Sequence, residues 1–459
     1  MTSHLTRWIC PVVFALFLAT NLAQHAYAQS VQGLPDYVVE EFGQPPVLPT
    51  GPLSAEVQEA IKVAFVDSVT QQTWGNDQFA ALDVIETSGD ARIVWIIADL
   101  MRFVPEPQLQ AILGNAAGPL LGKEVPNLSR WGFVTDHLIA WDIPAPPDYL
   151  AIKAQIFNGI IPGWEKIFVE GDVDWRLVSW GGVLIDDRAY DTTDEACNCI
   201  PAADNPAVTG AEDADWLADE DIVFGIEVNG EYRAYPRQIM EVREMVNDTL
   251  GGRDLGIPYC TLCGAAQAFF TDGLPEGIER PILRTSGLLS RSNKVMYDLT
   301  SWSVFDTFLG KALTGPLADK GITLDQATVV TTDWGTWKKA HPGTTVLAEY
   351  LALGRKPDFR NTRDANGPIF PVGDVDPRLP VHEDVIGVLT ASGKPVAFQR
   401  APAVLTLRAG KDIAVENVRL VMDAGGIRAV DADGSDLGSH QAFWFAWSQF
   451  YPETELWNG

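Results

Sequence analysis

Two close cysteine pairs, Cys197-Asn198-Cys199 and Cys260-Thr261-Leu262-Cys263-Gly264, are the residues whose types and spacing point most directly to chemistry. Thiols two or three residues apart either hold a metal ion or cycle with a disulfide. A Cys-x-x-Cys-Gly turn after a strand aims both sulfurs at one ion. With the second pair it makes a four-sulfur set, Cys260, Cys263, Cys197 and Cys199, that suits zinc or iron by number and copper by softness. Met296 and His341 are candidates to complete a copper shell. The redox alternative makes Cys260 the nucleophile and Cys263 the resolving thiol, and needs a helix N-terminus or a nearby cation to stabilise the thiolate. Ile257-Pro258-Tyr259 reads as extended and Ala265 to Phe270 as a continuing strand, so the thioredoxin context is absent. A third reading is structural: two disulfides pin the acidic stretch from Tyr190 to Asp221, worth about 3–4 kcal/mol, in a non-catalytic binding module. At this level all three stay open.

Other motifs carry less. Asp431-Ala-Asp433-Gly434-Ser-Asp436 lacks the order of a calcium loop and its late bidentate Glu, and reads as a hairpin turn. His137, His341, His382 and His440 show no HxxxH or HExxH spacing. There is no G-x-S-x-G and no phosphate-binding glycine loop, so no nucleotide cofactor is expected.

The fifth cysteine, Cys10, lies in a stretch that reads as a secretory signal over residues 1–28. Arg7 supplies the positive n-region, Pro11 to Leu22 the apolar core, and Ala26-Tyr27-Ala28 the cleavage site. A periplasmic or secreted protein is the expectation, in a compartment where disulfides persist. No later stretch approaches the ~20 apolar residues of a membrane helix. Sixty-one acidic residues face 33 basic ones, a net charge of −28, which repels nucleic acid and argues against it as a partner. A small ligand or a protein partner is left open.

The elements that must position these cysteines fall into two zones. Residues 29–53, rich in Pro and Gly, read as an extended segment. A helical domain is expected over 54–170. After Ser54 as N-cap, Val57, Ile61, Ala64 and Phe65 share one face. Ile93, Ile96, Ile97, Leu100, Met101 and Val104 repeat the pattern up to Pro105, and Leu109, Ile112, Leu113, Ala116 and Leu120 make a third run. Consecutive helices joined by Pro/Gly turns suggest a HEAT-like layer. From about Trp175 strand runs take over, with Asn229-Gly230 marking a type I′ hairpin after Val223 to Val228.

The strand zone repeats itself. Trp334-Gly-Thr-Trp337 through His341-Pro342-Gly-Thr344 recurs as Trp444-Phe-Ala-Trp447 through Tyr451-Pro452-Glu-Thr454, 110 positions later (444 − 334). Glu220-Asp221-Ile-Val-Phe-Gly225 likewise recurs as Glu383-Asp384-Val-Ile-Gly387. Two related units follow, the first over 175–350 with the CxxC and the second, without cysteine, over 381–459, joined by a linker at 351–380. The first carries the extra residues and therefore the expected chemistry, and the second gives support. The fold expected is α+β: an N-terminal helical layer, then a β-rich domain of two units.

The ordered runs Ile222 to Leu250, Ile257-Pro-Tyr-Cys260-Thr-Leu-Cys263-Gly264, Ser286-Gly-Leu-Leu289, Ser292-Asn293 and Val295-Met296-Tyr297-Asp298 resemble domain-of-unknown-function family 3179, DUF3179. Trp334 to Thr344 fits it too, as does Gly181-Gly182 through Pro201 and Asp204-Asn205-Pro206. The resemblance implies an extracytoplasmic domain and leaves its biochemistry open. Where the family commonly has Asn-Trp-His-Glu before Val-Asn-Asp, this chain has Glu241-Val242-Arg243-Glu244 before Val246-Asn247-Asp248. By the resemblance, Arg243, Glu244, Asn247 and Asp248 are expected at the site. Arg243 stands in the His position and is a candidate for the cation beside the thiols. Cys197 and Cys199 stand where the family usually has none, so a gained thiolate replacing a lost imidazole is a further expectation.

Overall fold

The computed structural model describes residues 33–192, 196–348 and 367–459. The signal-like stretch 1–28 lies outside these, as does the first part of the expected linker. Helices come first and a β-rich region follows, in which five small sheets form a propeller-like ring. No helix among the described residues is long and apolar enough to cross a membrane.

The helical layer follows the periodicity. Ser54 Oγ accepts the Val57 amide at 3.2 Å, capping Ala55–Ile61, and Val57, Ile61, Ala64 and Phe65 are all buried. Val94–Phe103 ends before Pro105 and Pro107–Leu121 starts after it. Asn76–Ser88, Arg130–Ala140 and Tyr149–Ile160 complete the layer. One expectation needs correcting: the segment read as extended holds a helix, Asp36–Phe42. Its Val38 and Phe42, one turn apart, are buried against the layer, and Phe42 meets the His137 ring edge-on. Apolar spacing outweighs the flanking prolines there. Lys153, Asp99 and Tyr149 form a buried triad inside the layer, with Lys153 Nζ 2.5 Å from Asp99 and Tyr149 OH donating to Asp99 at 2.8 Å.

The layer's core continues into the sheet ordered Val178–Trp180, Leu283–Ser290, Asn293–Asp298, Val304–Asp306, through Val178, Leu288, Val295 and Tyr297. This is the helix-facing sheet. The cysteine sheet orders Gln326–Ala327, Ala268–Phe270, Arg253–Cys260, Met245–Leu250 and Ala203–Asp204, with Ala265–Ala266 folded back on Arg253–Cys260.

Two further sheets share a strand plan. In the first tryptophan sheet, Ile222–Val228 pairs with Glu231–Pro236 across Asn229-Gly230. Both turn residues have positive φ, 51° and 81°, as a type I′ turn requires. Val330–Asp333 flanks the first strand antiparallel and leads into the helix Trp334–Ala340; Thr345–Leu347 then pairs parallel with the second strand. In the second tryptophan sheet, Asp384–Leu389 pairs with Pro395–Gln399, His440–Phe443 flanks it and leads into the helix Trp444–Phe450, and Glu455–Trp457 closes parallel. A small antiparallel sheet, Ile413–Val415, Val418–Asp423, Gly426–Val430, fills the interval.

The described end of the expected linker is fastened on both sides. The amides of Val372 and Gly373 both donate to Asp136 Oδ1 at 2.9 Å, and Arg291 Nε donates to the Val372 carbonyl at 3.0 Å. Burial pushes the Asp136 carboxyl up to about 6 despite those two amides.

Candidate functional site

Cys260 ends the long strand Arg253–Cys260, and Cys263 follows in the turn that reverses the chain into Ala265–Ala266, where Cys260 pairs with Ala265. Gly264 closes the turn at φ 65°, a conformation that glycine adopts without a steric cost. The two sulfurs are joined as a disulfide, and Cys197 and Cys199 are joined as another. Each pair closes on itself. Among the described residues no group of three or more His, Cys, Asp or Glu side chains is placed to hold a metal ion. The four sulfurs are therefore not gathered into one cluster. Met296 is packed in an apolar core and His341 stacks on Tyr232, so neither turns toward the sulfurs.

The CxxC turn is backed by the second tryptophan sheet. The Phe443 amide donates to the Cys263 carbonyl at 2.8 Å. Cys260, Cys263 and Ala265 share a core with Trp444, Trp447 and Phe308. Asn293 sits beside the sulfurs: its Oδ1 is 3.0 Å from Cys263 Sγ, and its Nδ2 donates to Gln449 Oε1 at 2.9 Å. The Ser292 carbonyl lies 3.8 Å from Cys263 Sγ and 3.9 Å from Cys260 Sγ. These oxygens are acceptors, so a Cys263 thiol freed by reduction would have a partner for its S–H.

Cys260 faces a cavity of about 230 Å³. Its polar wall is Glu244, Thr261, Thr285 and Lys294; Val183, Ile200, Leu288 and Phe370 supply much of the rest. Glu244 is the junction of this wall. It stands just past the helix Arg237–Arg243 at φ 52°, a left-handed cap. Its carbonyl accepts from the Tyr259 amide at 2.9 Å and from Lys294 Nζ at 3.2 Å. Its carboxylate forms a short ion pair with Lys294 and accepts from Thr261 Oγ1 at 3.3 Å. One side chain thus holds the CxxC turn and the cavity's cation together. Burial pushes the Lys294 ammonium below the usual lysine range, and Glu244 opposes that shift. Lys294 also borders a second cavity of about 220 Å³ beside Asp306. Burial raises that carboxyl to about 6, against the Leu309 and Phe308 amides that it accepts from.

Of the residues expected at the site, Cys260 and Glu244 come together on the cavity, with Cys263 directly behind. Arg243 is buried in the last helical turn, and the cation bordering the cavity is Lys294. Asn247 spaces two sheets: Nδ2 donates to Asp204 Oδ1 and the Leu283 carbonyl, and Oδ1 accepts from the Leu283 amide at 3.0 Å. Asp248 accepts from Arg233 at 2.5 Å and Tyr235 at 2.7 Å on the side of the first tryptophan sheet. Both are structural clamps outside the cavity. Cys199 is buried and bridges in parallel to Leu184, while Cys197 is half-buried beside exposed Asn198. Lys294 escaped the sequence reading, although it lies between Asn293 and Val295. The available signal was a lysine interrupting a strand whose every residue is buried.

A family model described as "protein of unknown function (DUF3179)" matches residues 197–439, and the chain belongs to that family. No curated protein and no solved structure matches the chain.

Proposed function

We propose that the protein is an extracytoplasmic dithiol/disulfide oxidoreductase whose redox centre is Cys260–Cys263. The observation that carries this reading is how the pairs close. A cross-link from one pair to the other would enclose roughly sixty residues and stabilise the fold by about 4 kcal/mol in the chain-entropy account. Rings spanning sequence separations of 2 and 3 confer about 1.5–2 kcal/mol each by the same relation. Such small rings are weak staples, which favours reactivity over reinforcement as their role. The cavity supports the same reading, because it gives Cys260 a solvent-sized approach and a buried ammonium to face a thiolate.

In this reading an incoming thiolate attacks Cys260 Sγ and breaks its bond to Cys263. Cys263 leaves, takes a proton, and donates its S–H to Asn293 Oδ1. Attack by the Cys263 sulfur on Cys260 reverses the step and expels the bound thiol. Glu244 positions Lys294 and the turn. The two tryptophan sheets are read as copies of one unit, of which the first acquired the reactive insertion and the second became its backing.

Equilibration of the folded protein with dithiothreitol buffers, followed by alkylation and mass measurement, tests this. A reversible two-electron transition mapped to Cys260–Cys263, separate from any at Cys197–Cys199 and lost in Cys260→Ser, is expected. A pair that resists reduction until the protein unfolds would instead leave a disulfide-stabilised binding module. Stoichiometric uptake of Cu⁺ or Zn²⁺ by the reduced protein, blocking re-oxidation, would favour the metal reading with copper, zinc or iron.

A further inference from the structure

The Cys197–Cys199 pair has no role in that chemistry as stated. We propose that it is an entry port: an outer disulfide that takes electrons from a protein dithiol and passes them inward through a transient Cys199–Cys260 bond. This rests on the redox reading of Cys260–Cys263.

Access gives the first reason. Cys260 is 2% exposed and Cys263 fully buried, behind a cavity of about 230 Å³. A small molecule fits there, but the loop that carries a protein's reactive thiol does not. Cys197, by contrast, is half-buried between exposed Ala196 and Asn198.

Register gives the second. Ala203 pairs in parallel with Val246, and Val246 pairs antiparallel with Ile257. Cys199 lies four residues before Ala203 and Cys260 three residues after Ile257, both toward the same end of the cysteine sheet. Residues 200–202 lie outside any strand and Cys199 bridges to Leu184, so the register gives a shared direction and no spacing. A disulfide needs Cα atoms within about 7 Å, and bringing Cys199 and Cys260 that close is the movement the port requires. Ile200, next to Cys199, lines the same cavity as Cys260.

The electrons balance. The partner's thiolate attacks Cys197 Sγ and expels Cys199 as a thiolate. The partner's second thiol resolves that mixed disulfide, freeing Cys197. Cys199 attacks Cys260 Sγ, and Cys263 leaves and is protonated. Cys197 then attacks Cys199 Sγ, expelling Cys260 as a thiolate toward Lys294. The partner dithiol ends oxidised, Cys260 and Cys263 end reduced, and the outer disulfide is restored.

Two measurements decide. In Cys197→Ser/Cys263→Ser, mild oxidation of dilute protein should remove two hydrogens and link the peptides of Cys199 and Cys260. Two sulfurs that remain separately alkylatable would overturn the port. In the second, thioredoxin should reduce Cys260–Cys263 at least tenfold more slowly in Cys197→Ser/Cys199→Ser than in the parent, with dithiothreitol, which enters the cavity, reducing the pair in both. Equal thioredoxin rates would overturn the port alone. Failure of dithiothreitol to reduce either folded protein would sink the redox reading beneath it.

Discussion

The two tryptophan sheets use the same strand plan for different ends. In each, a hairpin glycine faces the second tryptophan of the helix: a Cβ on Gly225 would come within 2.1 Å of the Trp337 ring, and one on Gly387 within 2.1 Å of Trp447. In each, that indole donates to a threonine seven residues on, Thr344 at 2.9 Å and Thr454 at 3.0 Å. They differ in what lies between hairpin and helix. The first sheet's interval holds most of the cysteine sheet, Lys294 and the cavity; the second's holds a helix, Arg400–Arg408, and a three-stranded sheet. The same glycine partner position also diverges, with Val330 opposite Gly225 and His440 opposite Gly387. The packing that the two sheets share is thus separable from the cavity and ion pair that lie beside the first alone.

The Lys294–Glu244 pair has no counterpart in the second sheet, and breaking it gives the largest expected effect. Lys294→Met leaves a carboxylate with its partner removed and should cost about 3–5 kcal/mol in denaturant unfolding. Lys294→Met/Glu244→Gln should recover most of that loss. If the single and double variants unfold alike, the pair is not coupled. Next come the glycines. Gly225→Ala and Gly387→Ala should each cost about 1–3 kcal/mol through overpacking. Only Gly387→Ala should also change the rate at which dithiothreitol reduces Cys260–Cys263, because Trp447 shares the core of the cysteine turn. An equal change in both would erase the distinction between backing and bystander.

His440 sharpens the contrast through pH. Burial between Gln267 and Gln326 pushes its imidazole down to about 3, whereas the unfolded chain protonates near 6.5. The unfolded state therefore binds the extra proton, and stability present above pH 6.5 is lost as pH falls toward 3. Asp136 and Asp306 act oppositely. Raised to about 6, they bind protons in the fold first and add stability as pH falls from about 6 to about 4. Melting temperatures of His440→Gln should decline less between pH 6.5 and 4 than those of the parent; parallel curves would mean that the ring titrates freely. The smallest effect is a symmetric one. Thr344→Val and Thr454→Val each strand a buried indole N–H and should cost about 1–2 kcal/mol in equal measure.

Much of this was legible in the residues. The Ser54 cap, the apolar faces and the Asn229-Gly230 turn are set by local chemistry, so they read directly. Each tryptophan motif falls on a helix that follows a strand, Trp334–Ala340 and Trp444–Phe450. The CxxC turn between extended runs was equally clear, since Pro258 and Gly264 constrain it locally. Glu244 and Lys294 are fifty residues apart, and their pairing depends on how two sheets pack, which no spacing encodes. Asn247 and Asp248 were expected at the site through the family resemblance, which says nothing of what they bond to. Their partners, Leu283 and Arg233, are set by tertiary register. Pairing within each cysteine motif was likewise one choice among several until the chain path was known.

The hydrogen bond from the Phe443 amide to the Cys263 carbonyl spans 180 residues (443 − 263). On a ribosome adding about 5–20 residues per second, the second half of that bond emerges some 10–35 seconds after the first. Through that interval the cysteine turn has none of its C-terminal cover, and its shared core cannot close. The order of synthesis thus makes the cysteine turn one of the last parts of the β-rich region to be enclosed.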